Sequence, residues 1–114
     1  MSYKNLLKKN THATEIPALG QKVWVRRLSG EEIDNYDKAV AAEKAGANNE
    51  NALIKLGIEL FLSALMNEDG SKPTEKDLPT AAELLKVHSY GDLLKAYADV
   101  QRHSYGTLEI ATKN

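Results

Sequence analysis

The sequence predicts an α+β fold that is predominantly α-helical, with an N-terminal β-hairpin followed by about four helices. Three observations predict it. Gln21–Tyr36, QKVWVRRLSGEEIDNY, reads as a short strand running straight into a capped helix. The segment from Glu50 to Met66 is apolar around most of a helix circumference. Ser29, Thr80 and Ser89 each precede an acidic residue by three positions, the spacing at which a helix start satisfies its free N–H groups.

At 114 residues the chain has the length of one domain. Residues 11–104 are expected to form it, with a flexible N-terminus over 1–10 and a frayed tail over 105–114. Fifteen basic and sixteen acidic residues leave a net charge of −1, which lacks the basic excess of a nucleic-acid footprint. No cysteine is present, so disulfides, thiolate catalysis and Cys-ligated zinc are excluded. Lys4, Lys8 and Lys9 are followed by no apolar run, so no export signal is read. Ala52–Met66 contains Lys55 and Glu59 and is too short to span a bilayer. A soluble protein in the cytoplasm is expected.

The hairpin comes first. Thr11–Ile16 is read as one strand, closed by Pro17 and Gly20, and Gln21–Leu28 as its partner. Pro17 has no N–H to donate, so the pairing is expected to break there. Along the second strand Val23 and Val25 point to one side, Trp24 and Arg26 to the other.

The first helix is placed at about Gly30 to Lys44, opened by a Ser29/Glu32 capping box. Glu31, Glu32 and Asp34 suit the positive end of its dipole, and Ile33, Tyr36 and Ala39 or Val40 supply a modest apolar stripe. Ala45–Asn49, AGANN, suits a turn.

The second helix is placed at about Glu50 to Met66. Lys55, Glu59 and Ser63 are its one polar stripe, at i, i+4 and i+8. A helix so apolar needs cover on more than one side, either from the other helices or from a second subunit. Asn67–Lys72 is a polar turn. Pro73–Lys76 and Pro79–Val87 are short helical pieces, and the last helix runs from about Tyr90 to His103 behind a Ser89/Asp92 cap. Leu93, Ala96, Tyr97 and Val100 line one of its faces.

No catalytic, cofactor or metal site emerges. If Gly70 were the sixth position of a calcium loop, Leu65 and Lys76 would stand where oxygen ligands are required. His12, His88 and His103 are scattered, no Ser has a His-plus-carboxylate pattern around it, and no glycine-rich phosphate loop is present. The acidic cluster Glu31, Glu32, Asp34 is explained by the helix dipole. A helix-turn-helix at about residues 80–103 is the DNA-binding alternative, but its second helix opens with Gly91, Asp92, Leu93 and Leu94 rather than basic and amide side chains.

A contact surface has better candidates. Trp24, Arg26 and Arg27 are of the types enriched at interface hot spots. Trp24 lies opposite Val23 and Val25, so one side of the hairpin is either covered by a second layer or meets a partner. Phe61, Leu62 and Leu65 are the matching candidates on the over-apolar helix.

In order and pattern the chain resembles the tail assembly chaperones of long-tailed phages. The resemblance lies in VWVRRLSGEEIDNY, the apolar Leu53–Met66 helix, the NEDGS turn after it, and KDLPTAAELLKVHSYGDLLKAYADVQRHS, about residues 20–104 in all. Where many relatives carry a Phe-rich, strand-like stretch after the turn, this chain has SKPTEKD. The resemblance implies a small, mainly helical, non-enzymatic protein that needs no cofactor or metal and binds neither nucleic acid nor membrane. Its implied partners are the tape measure protein, the major tail protein and further copies of itself, and it is implied to be absent from the finished virion. A structural tail completion protein is the neighbouring alternative. The family commonly makes a longer product by ribosomal frameshifting, and Thr112-Lys113-Asn114 can be encoded with the adenine run on which ribosomes slip.

Overall fold

Two consecutive residues at positive φ close the hairpin: Leu19 (φ 52°) and Gly20 (φ 81°). Such a two-residue loop has the twist of the strands it joins. In the computed structural model, which describes residues 3–8, 12–46 and 50–106, β1 (Thr14–Ala18) pairs antiparallel with β2 (Gln21–Val25). The register runs from Thr14 opposite Val25 to Ala18 opposite Gln21. The strand therefore includes Pro17, against the expectation that pairing ends there. The two-residue loop makes Ala18 and Gln21 a hydrogen-bonded pair, so the ring nitrogen of Pro17, one residue back, faces the free edge. On an edge strand that costs no ladder bond.

A third strand joins the sheet on the other side. The helix expected to reach Met66 stops at Ala64, and β3 (Leu65–Met66) pairs antiparallel with β2, Met66 opposite Trp24 and Leu65 opposite Val25. The Arg26 amide donates to the Ala64 carbonyl at 3.0 Å. Leu and Met are good helix formers, so tertiary pairing has overridden local propensity here.

Four helices follow the hairpin: α1 (Gly30–Ala45), α2 (Glu50–Ala64), α3 (Ala81–Val87) and α4 (Tyr90–Tyr105). The expected capping box opens α1: Ser29 Oγ accepts from the Glu32 amide at 3.1 Å, and Glu32 Oε1 accepts from the Ser29 amide at 3.0 Å. Thr80 and Glu83 do the same for α3 at 3.2 and 2.9 Å, and Ser89 Oγ accepts from the Asp92 amide at the start of α4. Gly106, at φ 83°, ends α4, and its amide donates to the carbonyls of Arg102 and His103. Short 3-10 turns lie at Lys4–Leu7 and Glu75–Asp77. The second replaces the helical piece expected at Pro73–Lys76. Tyr105, expected in the tail, is the last residue of α4; the rest of that expectation, from Thr107 onward, lies outside the described residues, as do positions 1, 2, 9 and 10 of the expected N-terminal segment.

Helix α2 is the hub. Its residues Leu60, Phe61 and Ala64 join Ile16, Ala18 and Val25 from the sheet, Ile33 from α1, and Ala96, Tyr97 and Val100 from α4 in one core cluster. Ile54 and Ile58 join Ala81 and Leu93 in a second, where α3 and α4 meet α2. Lys55, Glu59 and Ser63 remain at the surface, as their spacing predicts. The chain's own elements thus supply most of the cover that α2 needs, which the sequence left open.

Candidate partner-binding surface

The sheet has one layer of helices to pack on, and its two faces differ accordingly. Ile16, Ala18 and Val25 are buried on the inner face, with Val23 and Leu65 packed against them. By strand alternation Glu15, Pro17, Lys22, Trp24 and Met66 share the outer face. Glu15, Pro17 and Lys22 are exposed, and Trp24 and Met66 are half-buried. Trp24 stands directly opposite Met66 in the register, which brings their Cβ atoms to about 4.5–5.5 Å of each other. An indole beside a polarizable thioether makes an adaptable apolar patch. Lys22 and Glu15, 3.6 Å apart, border it with an exposed ion pair.

Arg26 leaves the sheet on the same side, but its guanidinium is held within the chain. Nη1 and Nη2 donate to Glu32 Oε1 and Oε2 at 2.8 and 2.7 Å, and Nη2 also donates to the Ser63 carbonyl at 3.2 Å. One side chain thereby ties the end of β2 to the start of α1 and the end of α2. Such paired bonds are the strong form of an ion pair. The bond from Arg26 pulls the Glu32 carboxyl down to about 2, and the same bond raises Arg26. Glu32 serves at once as the reciprocal cap of α1 and as the anchor of Arg26.

The remaining candidates are distributed unevenly. Arg27 is exposed just past β2. Leu62 and Leu65 are half-buried against the core. Phe61 is 4% exposed inside the main cluster and, as folded, offers a partner no surface. Met66 was not legible as a surface residue because its strand was read as helix. A second exposed apolar group, Val87, Tyr90 and Leu94, lies where α3 meets α4, and the Tyr90 hydroxyl donates to Asn51 Oδ1 at 2.6 Å. The spacing Tyr90 to Leu94, one helical turn, was the available signal.

Asp99 is buried, but its carboxylate accepts from Lys95 at 2.8 Å and from Arg102, which explains it as a structural group. Among the described residues no three His, Cys, Asp or Glu side chains converge so as to hold a metal ion. No helix among them is long and apolar enough to cross a membrane.

A half-buried apolar patch on a sheet backed by helices, beside an exposed ion pair and a capping Glu32 held by Arg26, is a feature that several kinds of protein share. Comparison with known families decides which: the model of the phage tail assembly chaperone protein family, TAC, matches residues 2–114. The chain belongs to that family. Membership places this tail assembly chaperone among proteins that act with protein partners while a phage tail is built. No curated protein and no solved structure matches it.

Proposed function

We propose that this tail assembly chaperone binds the tape measure protein and recruits major tail protein to it in the cytoplasm of the bacterial host, without catalysis and without remaining in the finished virion. Family membership supports the process. The observation that carries the mode of action is the outer face of the sheet, where Trp24 and Met66 form an apolar patch beside exposed charges. A long helical rod with apolar stripes aggregates unless they are covered, and such a patch covers them reversibly.

Within this reading Trp24 and Arg27 contact the partner. Arg26, Leu62 and Leu65 hold that surface in place, and Phe61 supports it from the core. Copies of the chain associate while they coat the rod. The DNA-reading alternative has less support, since Leu93 is buried and α4 opens with Asp92 beside it.

The test is co-purification with the tape measure and major tail proteins encoded alongside it, with mass spectrometry of purified virions. Capture of the tape measure protein together with absence from virions is the expected result. A protein found as a stoichiometric virion component is instead a structural tail protein.

A further inference from the structure

Two exposed features of this chain fit each other. The first is the turn Lys4–Leu7, which carries Leu6 and Leu7 at 81% and 83% exposure. They are the most exposed large apolar side chains among the described residues, in a segment that also bears Lys4, Lys8 and Lys9. The second is a groove of about 270 Å³ between the start of α1 and the end of α4. Leu28 and Ile33 are buried beneath it, Tyr105 stands beside it at 65% exposure, and Asp34 and Asp37 form its rim. The Ser104 hydroxyl in its wall is already satisfied: Oγ accepts from the Leu28 amide at 3.0 Å and donates to the Val100 carbonyl at 2.9 Å. What the groove presents is therefore the exposed ring of Tyr105 beside an acidic edge, over a floor closed by Leu28 and Ile33.

We infer that the groove receives the Lys4–Lys8 segment of a second copy of this chain, Leu6 and Leu7 lying against the exposed Tyr105 ring, and the lysines facing Asp34 and Asp37. The charge pattern selects this occupant, because a basic segment with an apolar pair is complementary to an acidic-edged groove that exposes one aromatic ring. Asp34 shares its charge with Lys38 at 3.0 Å, so Asp37 is the stronger partner on the rim. The segment does not fill the groove of its own chain, since both leucines and Tyr105 stand exposed in the folded protein. Identical chains each present both halves. A reciprocal exchange closes a dimer, and a one-way exchange builds a ring or filament. The inference deepens the proposed self-association by naming its surface.

Sedimentation velocity over a concentration series tests it with full-length chains. Leu6→Asp/Leu7→Asp alters the segment, and Asp34→Lys/Asp37→Lys alters the groove; all four positions lie at the surface, so both variants should stay folded, the second melting slightly lower for the lost Asp34–Lys38 pair. Wild type is expected to associate. Each variant alone should associate about a hundredfold more weakly or worse, and an equimolar mixture, which restores one intact segment and one intact groove, should form mixed dimers. A wild type that stays monomeric, a segment variant that associates like wild type, or a mixture that fails to pair would overturn the inference. A monomeric wild type that still captures the tape measure protein overturns this docking alone. A chain that associates as described but captures no tape measure protein overturns the proposed function alone.

Discussion

Gly57 of α2 lies flat against the ring of Tyr97 of α4. A Cβ placed on Gly57 would come within 3.0 Å of three ring carbons, closer than real Cβ contacts allow. The close approach of α2 to α4 thus depends on one missing methyl group. Tyr97 is itself buried in the main cluster, and burial raises its hydroxyl above the usual tyrosine range.

Gly57→Ala should therefore destabilise the protein although alanine is the better helix former. Helix propensity favours alanine by about 1 kcal/mol, while overpacking costs about 1–3 kcal/mol and so close a contact lies at the upper end, so a net loss of up to about 2 kcal/mol is expected. Thermal or urea denaturation of the two proteins measures it. A variant more stable than wild type would mean that α2 and α4 are not in this close contact.

Below pH 4.5 the Arg26–Glu32 pair should reveal itself. The Glu32 carboxyl is lowered from 4.5 to about 2 by its bonds from Arg26 and Ser29. A carboxyl lowered on folding contributes stability that is fully present above its unfolded value and is lost as pH falls through the folded one. The window is thus from pH 4.5 down to about 2. Because 35% of the Glu32 side chain is exposed, water screens the pair, and about 1 kcal/mol is a realistic contribution. Glu32→Gln should be less stable at pH 7 and should show a flatter decline across that window. Parallel profiles for the two proteins would contradict the assignment.

Trp24 and Val25 are neighbours with opposite roles. Val25 is fully buried in the core, whereas Trp24 is half-buried on the outer face. Val25→Ala should cost about 2–3 kcal/mol, and Trp24→Ala about 1 kcal/mol, well below the roughly 3–5 kcal/mol of a core aromatic. Melting curves beside a partner-capture assay separate the two. Large destabilisation by Trp24→Ala would make the outer face part of the core.

Asp99 should matter less than its burial suggests. The side chain is buried, but Lys95 and Arg102 keep 67% and 53% of their side chains exposed. When Asp99→Ala removes the carboxylate, both cations turn to water rather than remain stranded. A loss of about 1 kcal/mol is expected instead of the 3–5 kcal/mol of a wholly buried broken pair, as urea titration would show. A loss near the upper figure would mean that water does not reach these cations.

The caps were the most legible part of this fold, because Ser29/Glu32 and Thr80/Glu83 act over three residues and depend on little else. The polar stripe Lys55, Glu59, Ser63 was equally plain, since helical spacing alone places it. β3 was hidden: Leu65 and Met66 continue a helical pattern, and only the free edge of β2, distant in sequence, draws them out of it. Pro17 misled for a related reason. Its cost depends on which way its nitrogen points, and that is set by the Leu19–Gly20 loop rather than by proline. Of the candidate contact residues, the orientation of Trp24 was legible and those of Arg26 and Phe61 were not. Strand alternation located Trp24 correctly on the face opposite Val25, but nothing local showed that Arg26 would bind Glu32 or that Phe61 would turn inward.

The proposed function places binding of the tape measure protein on the outer face of the sheet. Its most direct test is to co-express that protein with wild type and with Trp24→Ala, and to measure how much tape measure protein stays in solution bound to each. Wild type is expected to keep it in solution, and Trp24→Ala, still folded by circular dichroism, to lose most of it. A folded Trp24→Ala protein that holds the tape measure protein as well as wild type does would contradict the claim.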